Sequence, residues 1–144
     1  MNATMIIAPM IDDDVDAVVE LWNACGLTRP WNNPAQDIAF ARQKPESDVL
    51  VGRLDGEIVA SVMVGHDGHR GVAYYVAVSP NTQAKGLGRL IMSAAENWLT
   101  DRGVWKMNLL IREGNEKVQS FYETLGYQEE PRTCMAKKLK RGST

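Results

Sequence analysis

The octapeptide QAKGLGRL, Gln83 to Leu90, sets two glycines and two cations at the mouth of a helix. Leu87, Leu90, Ile91, Ala94, Ala95 and Trp98 follow at helical spacing and form one apolar face. Glycines in front of such a face let main-chain amides approach a partner closely. A helix N-terminus adds outward N–H groups and the positive end of the dipole, so the pattern asks for an anion. A Walker loop would need G-x-x-x-x-G-K-[ST], and no stretch of the chain supplies it. A dinucleotide loop would need G-x-G-x-x-G, but Ile91 occupies the third glycine position. On the loop alone, glycines that merely shape a tight turn are the competing reading.

The flanking segments define the fold class. Upstream, Val72 to Val78 is an unbroken apolar run, expected as a central strand buried on both faces and stopped by Ser79-Pro80. Val49–Leu54 and Glu57–Val64 are β-rich runs joined by Asp55-Gly56, a two-residue hairpin signal. Ile6–Ala8 reads as a first strand. A helix capped by Asp12 or Asp13 follows, with Val15, Val18, Val19 and Trp22 inward and Gly26 at its end. Asn33-Pro34 caps a second helix running to about Lys44. After the long helix Gly86–Arg102 come a strand, Lys106–Ile111, a helix, Glu116–Leu125, and a last strand pair carrying Tyr127 and Met135–Leu139. The strand–helix–strand unit from Val72 to Ile111 requires a parallel pair inside an otherwise antiparallel sheet. The expectation is therefore an α/β (α+β) fold, one domain over residues 1–144. Its mixed, mostly antiparallel twisted sheet would have about six to seven strands, flanked by about four helices.

Bulk properties narrow the function. A chain of 144 residues, 44% hydrophobic and 24% charged, is long enough for one core. Its net charge of −2 offers no general field for nucleic acid or an anionic membrane. The basic run Lys137-Lys138-Leu139-Lys140-Arg141 is short and reads as a solvated tail. No apolar run approaches the roughly 20 residues that span a bilayer, and MIIAPMI is too short for a signal core, so a cytoplasmic location is expected. Cys25 and Cys134 have no CxxC partner and no histidine at ligand spacing, so no metal is expected.

Two blocks carry a family resemblance. VAVSPNTQAKGLGRLI, Val76 to Ile91, resembles motif A of the GCN5-related N-acetyltransferases (the GNAT family), whose core is Q/R-x-x-G-x-G/A; Gln83, Gly86 and Gly88 occupy those positions. NEKVQSFYETLGY, Asn115 to Tyr127, resembles the family's N-x-x-A-x-x-x-Y-E-x-x-G-F/Y segment, with Val118 at the usually small position. Within the family, LTRPWNNP and GHDGHRG are similar to the bacterial YpeA-type acetyltransferases.

The resemblance implies acetyl-CoA as co-substrate and direct acetyl transfer to a primary amine. It implies that the backbone of Val76, Ala77 and Val78 runs beside the pantetheine arm, with a bulge opening the sheet there. Amides of Gln83, Ala84, Lys85, Gly86, Leu87, Gly88 and Arg89 would hold the pyrophosphate, with charge from Lys85 and Arg89. Asn115 would bond pantetheine amides and Tyr122 would protonate the leaving thiolate, a role suited to a phenol. No general base is assigned: Tyr74, Tyr75 and Leu110 stand where some relatives carry glutamate, and His66, Asp67, His69 and Glu113 are the candidates. Arg29, Trp31 and Asn32 fall in the connection where the family shapes its acceptor pocket, and His69 is a fourth substrate candidate. A guanidinium beside an indole suits an anionic or aromatic acceptor, a small molecule or a peptide N-terminus. A loop anchored by a buried Trp31 is the structural alternative. At the level of function the rival is a non-catalytic module of the same fold that binds CoA or a metabolite. A homodimer is compatible with either reading.

Overall fold

The hairpin turn at Asp55-Gly56 forms as its composition demands. Both residues have positive φ, 50° and 85°, so the two-residue turn matches the twist of the strands it joins. A computed structural model of the chain describes residues 4–82 and 86–139. They fall into two compact units, Met1–Leu110 and Ile111–Thr144.

The first unit holds β1 (Ile6–Pro9), α1 (Val15–Ala24), α2 (Pro34–Arg42), β2 (Ser47–Leu54), β3 (Glu57–His66), β4 (Gly71–Val78), α3 (Leu87–Thr100) and β5 (Met107–Asn108). The strands lie in the order β1-β2-β3-β4-β5, antiparallel except for the parallel pair β4–β5. The Asn33 side chain accepts a bond from the Gln36 N–H at 3.1 Å, with Pro34 at the first helical position, and α2 ends at Arg42. Strand alternation splits the core in two. Leu50, Val62, Val64 and Ala73 pack with Leu87, Ile91, Ala95 and Trp98 of α3 on one face. Val49, Val51 and Ala77 pack with Val18, Trp22 and Ile38 of α1 and α2 on the other.

Three expectations about these elements are corrected. Among the described residues β3, not β4, is the middle strand, because the order ends at β5 with no further strand beyond it. On α3 the buried set includes Met92 and Leu99, whereas Leu90 is 46% exposed. And β4 is not buried on both faces, since Tyr74 is 46% exposed. The cause is a β-bulge. Ser61 pairs with Ala77 and Met63 with Tyr74, so β4 advances three residues while β3 advances two. The extra residue throws Tyr74 and Tyr75 onto the same face as Met63, and Val76 and Val78 onto the α3 face.

Tyr75 takes the conformational load of that bulge with φ of 52°, a left-handed backbone that is a true outlier for a bulky residue. Such strain costs on the order of 1–3 kcal/mol and persists only where surrounding contacts over-determine it. Here four contacts do so. The Tyr75 ring stacks on Trp22, centroids 3.7 Å apart and planes within 5°. The fully buried Trp22 donates its indole N–H to Ser61 Oγ at 2.8 Å, and Ser61 Oγ donates in turn to the Tyr75 carbonyl at 3.2 Å. The Tyr75 hydroxyl donates to Asp37 Oδ2 of α2 at 2.8 Å. Burial, reinforced by the Asp37 carboxylate, pushes this phenol up to about 12.

The second unit holds one helix, α4 (Glu116–Thr124). The expected strand pair at Tyr127 and Met135–Leu139 is absent among the described residues, so the sheet has five strands rather than six or seven. Pro131 lacks a ladder donor, and Met135 and Leu139 are 89% and 80% exposed, with no face to bury. Strand propensity without a neighbouring ladder does not hold a strand.

Two measurements test the bulge. Ser61→Ala strands the buried indole N–H and should cost about 1–3 kcal/mol in denaturant unfolding; an unchanged midpoint would show that Ser61 does not couple Trp22 to the strand. Tyr75 has a raised folded pKa, so its contribution to stability is complete below the ordinary tyrosine value near 10 and lost as pH rises through about 12. Wild type should therefore lose stability relative to Tyr75→Phe across that window, and the variant should lack a tyrosinate absorbance step near 12.

Candidate functional site

The bulge decides where β4 offers its main chain. Among the described residues, pairing with β5 is confined to Gly71 with Met107 and Val72 with Asn108, and no strand lies along that edge of β4 from Ala73 to Ala77. Val76 and Val78 are half-buried against the α3-side core and Ala77 is buried towards α1. Their side chains are absorbed in packing, and what remains for a ligand is backbone. The Cys25 thiol, kept protonated by burial, donates to the Val78 carbonyl at 3.2 Å and ties the end of α1 to the end of β4.

At that same end the chain leaves β4 through a short turn, Pro80–Thr82, and enters α3. Gln83, Ala84 and Lys85 lie outside the described residues. Gly86 is the N-cap of α3 with φ of 73°; a β-carbon there would meet open space, so the demand for glycine is conformational. The first main-chain bond of the helix runs from the Leu90 N–H to the Gly86 carbonyl at 3.3 Å. Helix geometry therefore leaves the N–H groups of Leu87, Gly88 and Arg89 without an intrahelical acceptor. Leu87, 6% exposed, pins this turn into the core, while Arg89 is exposed. An anion would find amides, a dipole and one guanidinium here.

The connection between α1 and α2 lies at the same end of β4. Arg29 Nη1 donates to the carbonyls of Gly26 and Thr28 at 2.8 and 2.9 Å, and the Asn32 N–H donates to the Arg29 carbonyl at 3.0 Å. Arg29 thus braces its own loop. Trp31 does not anchor that loop from inside: it is 66% exposed, as is Asn32 to a similar class. His69 is not brought to this group. It is exposed in the turn between β3 and β4, beyond Gly71, which is itself about 13 Å along the strand from Tyr75 at about 3.3 Å per residue. Asp67 organises that turn by accepting from the backbone N–H groups of Arg70 and His69, both at 2.8 Å, which hold its carboxyl below the usual carboxylate range. His66 Nδ1 accepts from the Gly68 N–H at 3.0 Å, so all three titratable groups of the turn stand at the far end from the bulge.

In the second unit, Asn115 is the N-cap residue of α4, exposed and with no side-chain cap bond. Tyr122, on α4, is 8% exposed, with the Phe121 ring at 5.2 Å and the Tyr127 ring edge-on at 5.7 Å. Burial raises the pKa of its phenol, so the hydroxyl keeps its proton through neutral pH. Glu113 is exposed.

Sequence reasoning missed Asp37, Tyr75 and Ser61 as a connected set. Asp37 and Tyr75 are 38 residues apart, and an acidic residue in the first turn of a helix carries its own local explanation in the dipole. Only the bulge, which no local pattern announces, turns Tyr75 towards α2.

Comparison with known proteins agrees with this architecture. The family model described as the acetyltransferase (GNAT) family matches residues 15–127. An acetyltransferase of Pectobacterium atrosepticum is 42% identical over 127 residues, covering 88% of this chain and 90% of the relative. An acetyltransferase of Yersinia pseudotuberculosis is 40% identical over the same shares. Among solved structures, AAC(6')-Iy in complex with a bisubstrate analogue superposes with a TM-score of 0.82 at 17% identity, covering 96% of this chain and all, 100%, of that one. The ribosomal-protein-S18-alanine N-acetyltransferase from Escherichia coli gives a TM-score of 0.75 at 21% identity, over 88% of this chain and 79% of that one. These two likenesses speak for the fold, the family model and the close relatives for descent: the chain belongs to the acetyltransferase (GNAT) family and is an N-acetyltransferase enzyme.

Proposed function

We propose that this enzyme transfers the acetyl group of acetyl-CoA directly to a primary amine on a small molecule or a peptide N-terminus. The observation that carries the reading is the bulge of β4: from Ala73 to Ala77 its outer edge has no partner strand among the described residues, and a glycine-opened helix follows. An extended pantetheine arm can hydrogen-bond such an edge as a short extra strand would. The amides of Leu87, Gly88 and Arg89, with the Arg89 guanidinium, suit a pyrophosphate. The sequence motif adds Gln83, Ala84 and Lys85 to that cradle.

The chemistry then needs few groups. The amine nitrogen, as its free base, attacks the thioester carbonyl; the carbon–sulfur bond breaks, the thiolate takes a proton, and the nitrogen gives its extra proton to solvent. Tyr122 is proposed as the acid for the thiolate, on the motif it shares with the family and on the burial that keeps its phenol protonated. Asn115 is proposed as the pantetheine partner, consistent with a side chain not spent on capping α4. Trp31 and Asn32 are proposed as borders of the acceptor, with Arg29 holding their loop. The solved neighbours include aminoglycoside acetyltransferases and a ribosomal-protein alanine acetyltransferase, enzymes named for amine substrates. They support an amine acceptor without choosing one. Thiol release from acetyl-CoA, screened over amino acids, polyamines, aminoglycosides and N-terminal peptides, is the direct test; silence across the panel would remove the transfer reading.

Two substitutions separate binding from chemistry. Gly88→Glu puts a side chain and a negative charge among the amides of the first turn of α3, and calorimetry should show acetyl-CoA affinity reduced at least about tenfold; equal affinity would move the pyrophosphate elsewhere. Tyr122→Phe keeps the packed ring and removes one hydroxyl. Acetyl-CoA affinity should be retained while the maximal rate falls roughly 10²–10⁴-fold, the usual worth of a positioned acid. An unchanged rate with chemistry limiting would leave Tyr122 as a wall.

A further inference from the structure

We infer that Asp37 is the specificity residue of the acceptor site and that the acceptor it selects carries a second cationic group. The inference rests on the transfer reading above and concerns a residue that the family motifs do not reach. Asp37 stands in the first turn of α2, one tyrosine side chain away from the bulged backbone of β4. Its carboxylate is only half committed. Oδ2 accepts the Tyr75 hydroxyl at 2.8 Å, and among the described residues Oδ1 takes no hydrogen bond and the side chain stands in no ion pair. The two ion pairs among the described residues, Arg42 with Asp12 and Arg53 with Asp14, do not involve it. Asp37 is therefore an oriented anion held ready for a cation.

Its surroundings suit the same ligand. Tyr74, 46% exposed, shares its sheet face with Tyr75, and the 66% exposed Trp31 stands in the connection that leads into α2. Exposed aromatic faces attract ammonium groups. Arg29, the cation that would favour an anionic acceptor, turns its Nη1 to the Gly26 and Thr28 carbonyls. Tyr75 fixes the direction of the carboxylate, because its ring is clamped by Trp22 and its main chain by Ser61. A fixed anion recognises a cation at less entropic cost than a mobile one.

The test compares three probes of similar length: cadaverine with two amines, pentylamine with one, and aminocaproate with an amine and a carboxylate. Wild type should show a KM for cadaverine about tenfold or more below that for pentylamine, and aminocaproate should be poorest, as a charge-assisted bond implies. Asp37→Asn can still accept the Tyr75 hydroxyl; it should erase the preference for cadaverine and leave the KM for acetyl-CoA unchanged. Asp37→Glu should restore part of it. A preference for aminocaproate, or a cadaverine preference that survives Asp37→Asn, would overturn the inference. Loss of acetyl-CoA binding in Asp37→Asn would also overturn it, by making Asp37 structural. Should none of the three probes release thiol, the transfer reading is left to the wider acceptor panel, and calorimetric titration of cadaverine into the CoA-saturated protein decides the inference: binding by wild type and not by Asp37→Asn supports it, and equal or no binding rejects it.

Discussion

The left-handed backbone of Tyr75 is the constraint on which the rest of this site depends. A tyrosine at φ of 52° is unfavourable by itself, yet the strand cannot deliver both of its faces without it. Before the bulge, Ala73 faces α3; after it, Val76 and Val78 do, and Ala77 turns to α1. A regular strand would have kept Ala73, Tyr75 and Ala77 on one side. The extra residue changes the phase, and with it the direction of the strand edge that faces away from β3.

The surrounding residues are arranged so that this phase change has one outcome. Trp22 is fully buried and cannot leave its indole N–H unsatisfied, so it takes Ser61 Oγ; the same hydroxyl then has a proton to give, and the Tyr75 carbonyl receives it. The stack of Tyr75 on Trp22 and its bond to Asp37 close the loop of contacts from α1 through the sheet to α2. Buried polar networks that are fully satisfied rigidify what they connect. Here they connect the strand edge proposed for the cofactor to the carboxylate proposed for the acceptor.

Division of labour along the chain follows from burial. Leu87 and Ile91 hold the start of α3 against the sheet, so the amides of its first turn have a fixed direction, while Arg89 remains exposed. In the second unit, Tyr122 is buried enough to keep its proton, whereas Asn115 stays exposed at the head of the same helix. The β3–β4 turn is ordered by Asp67, and His66 and His69 lie at the end of the hairpin away from the bulge.

The sequence by itself determined the elements whose signals are local. The Asp55-Gly56 turn, the Asn33-Pro34 cap, the periodicity of α1 and α3, the parallel crossover and the glycine-opened helix all follow from residues within a turn or two of one another. The family motifs likewise named Tyr122 and Asn115, because spacing within one helix is a local quantity. Tertiary structure alone decided the rest. The bulge depends on how β4 registers against β3, which no pattern within β4 encodes, and it converted an apparently buried run into a strand with an exposed Tyr74. Asp37 became a partner of Tyr75 only when two elements 38 residues apart were packed on one face. Conversely, Met135–Leu139 has strand-like composition but finds no ladder among the described residues, because a strand is held by its neighbour and not by its own sequence.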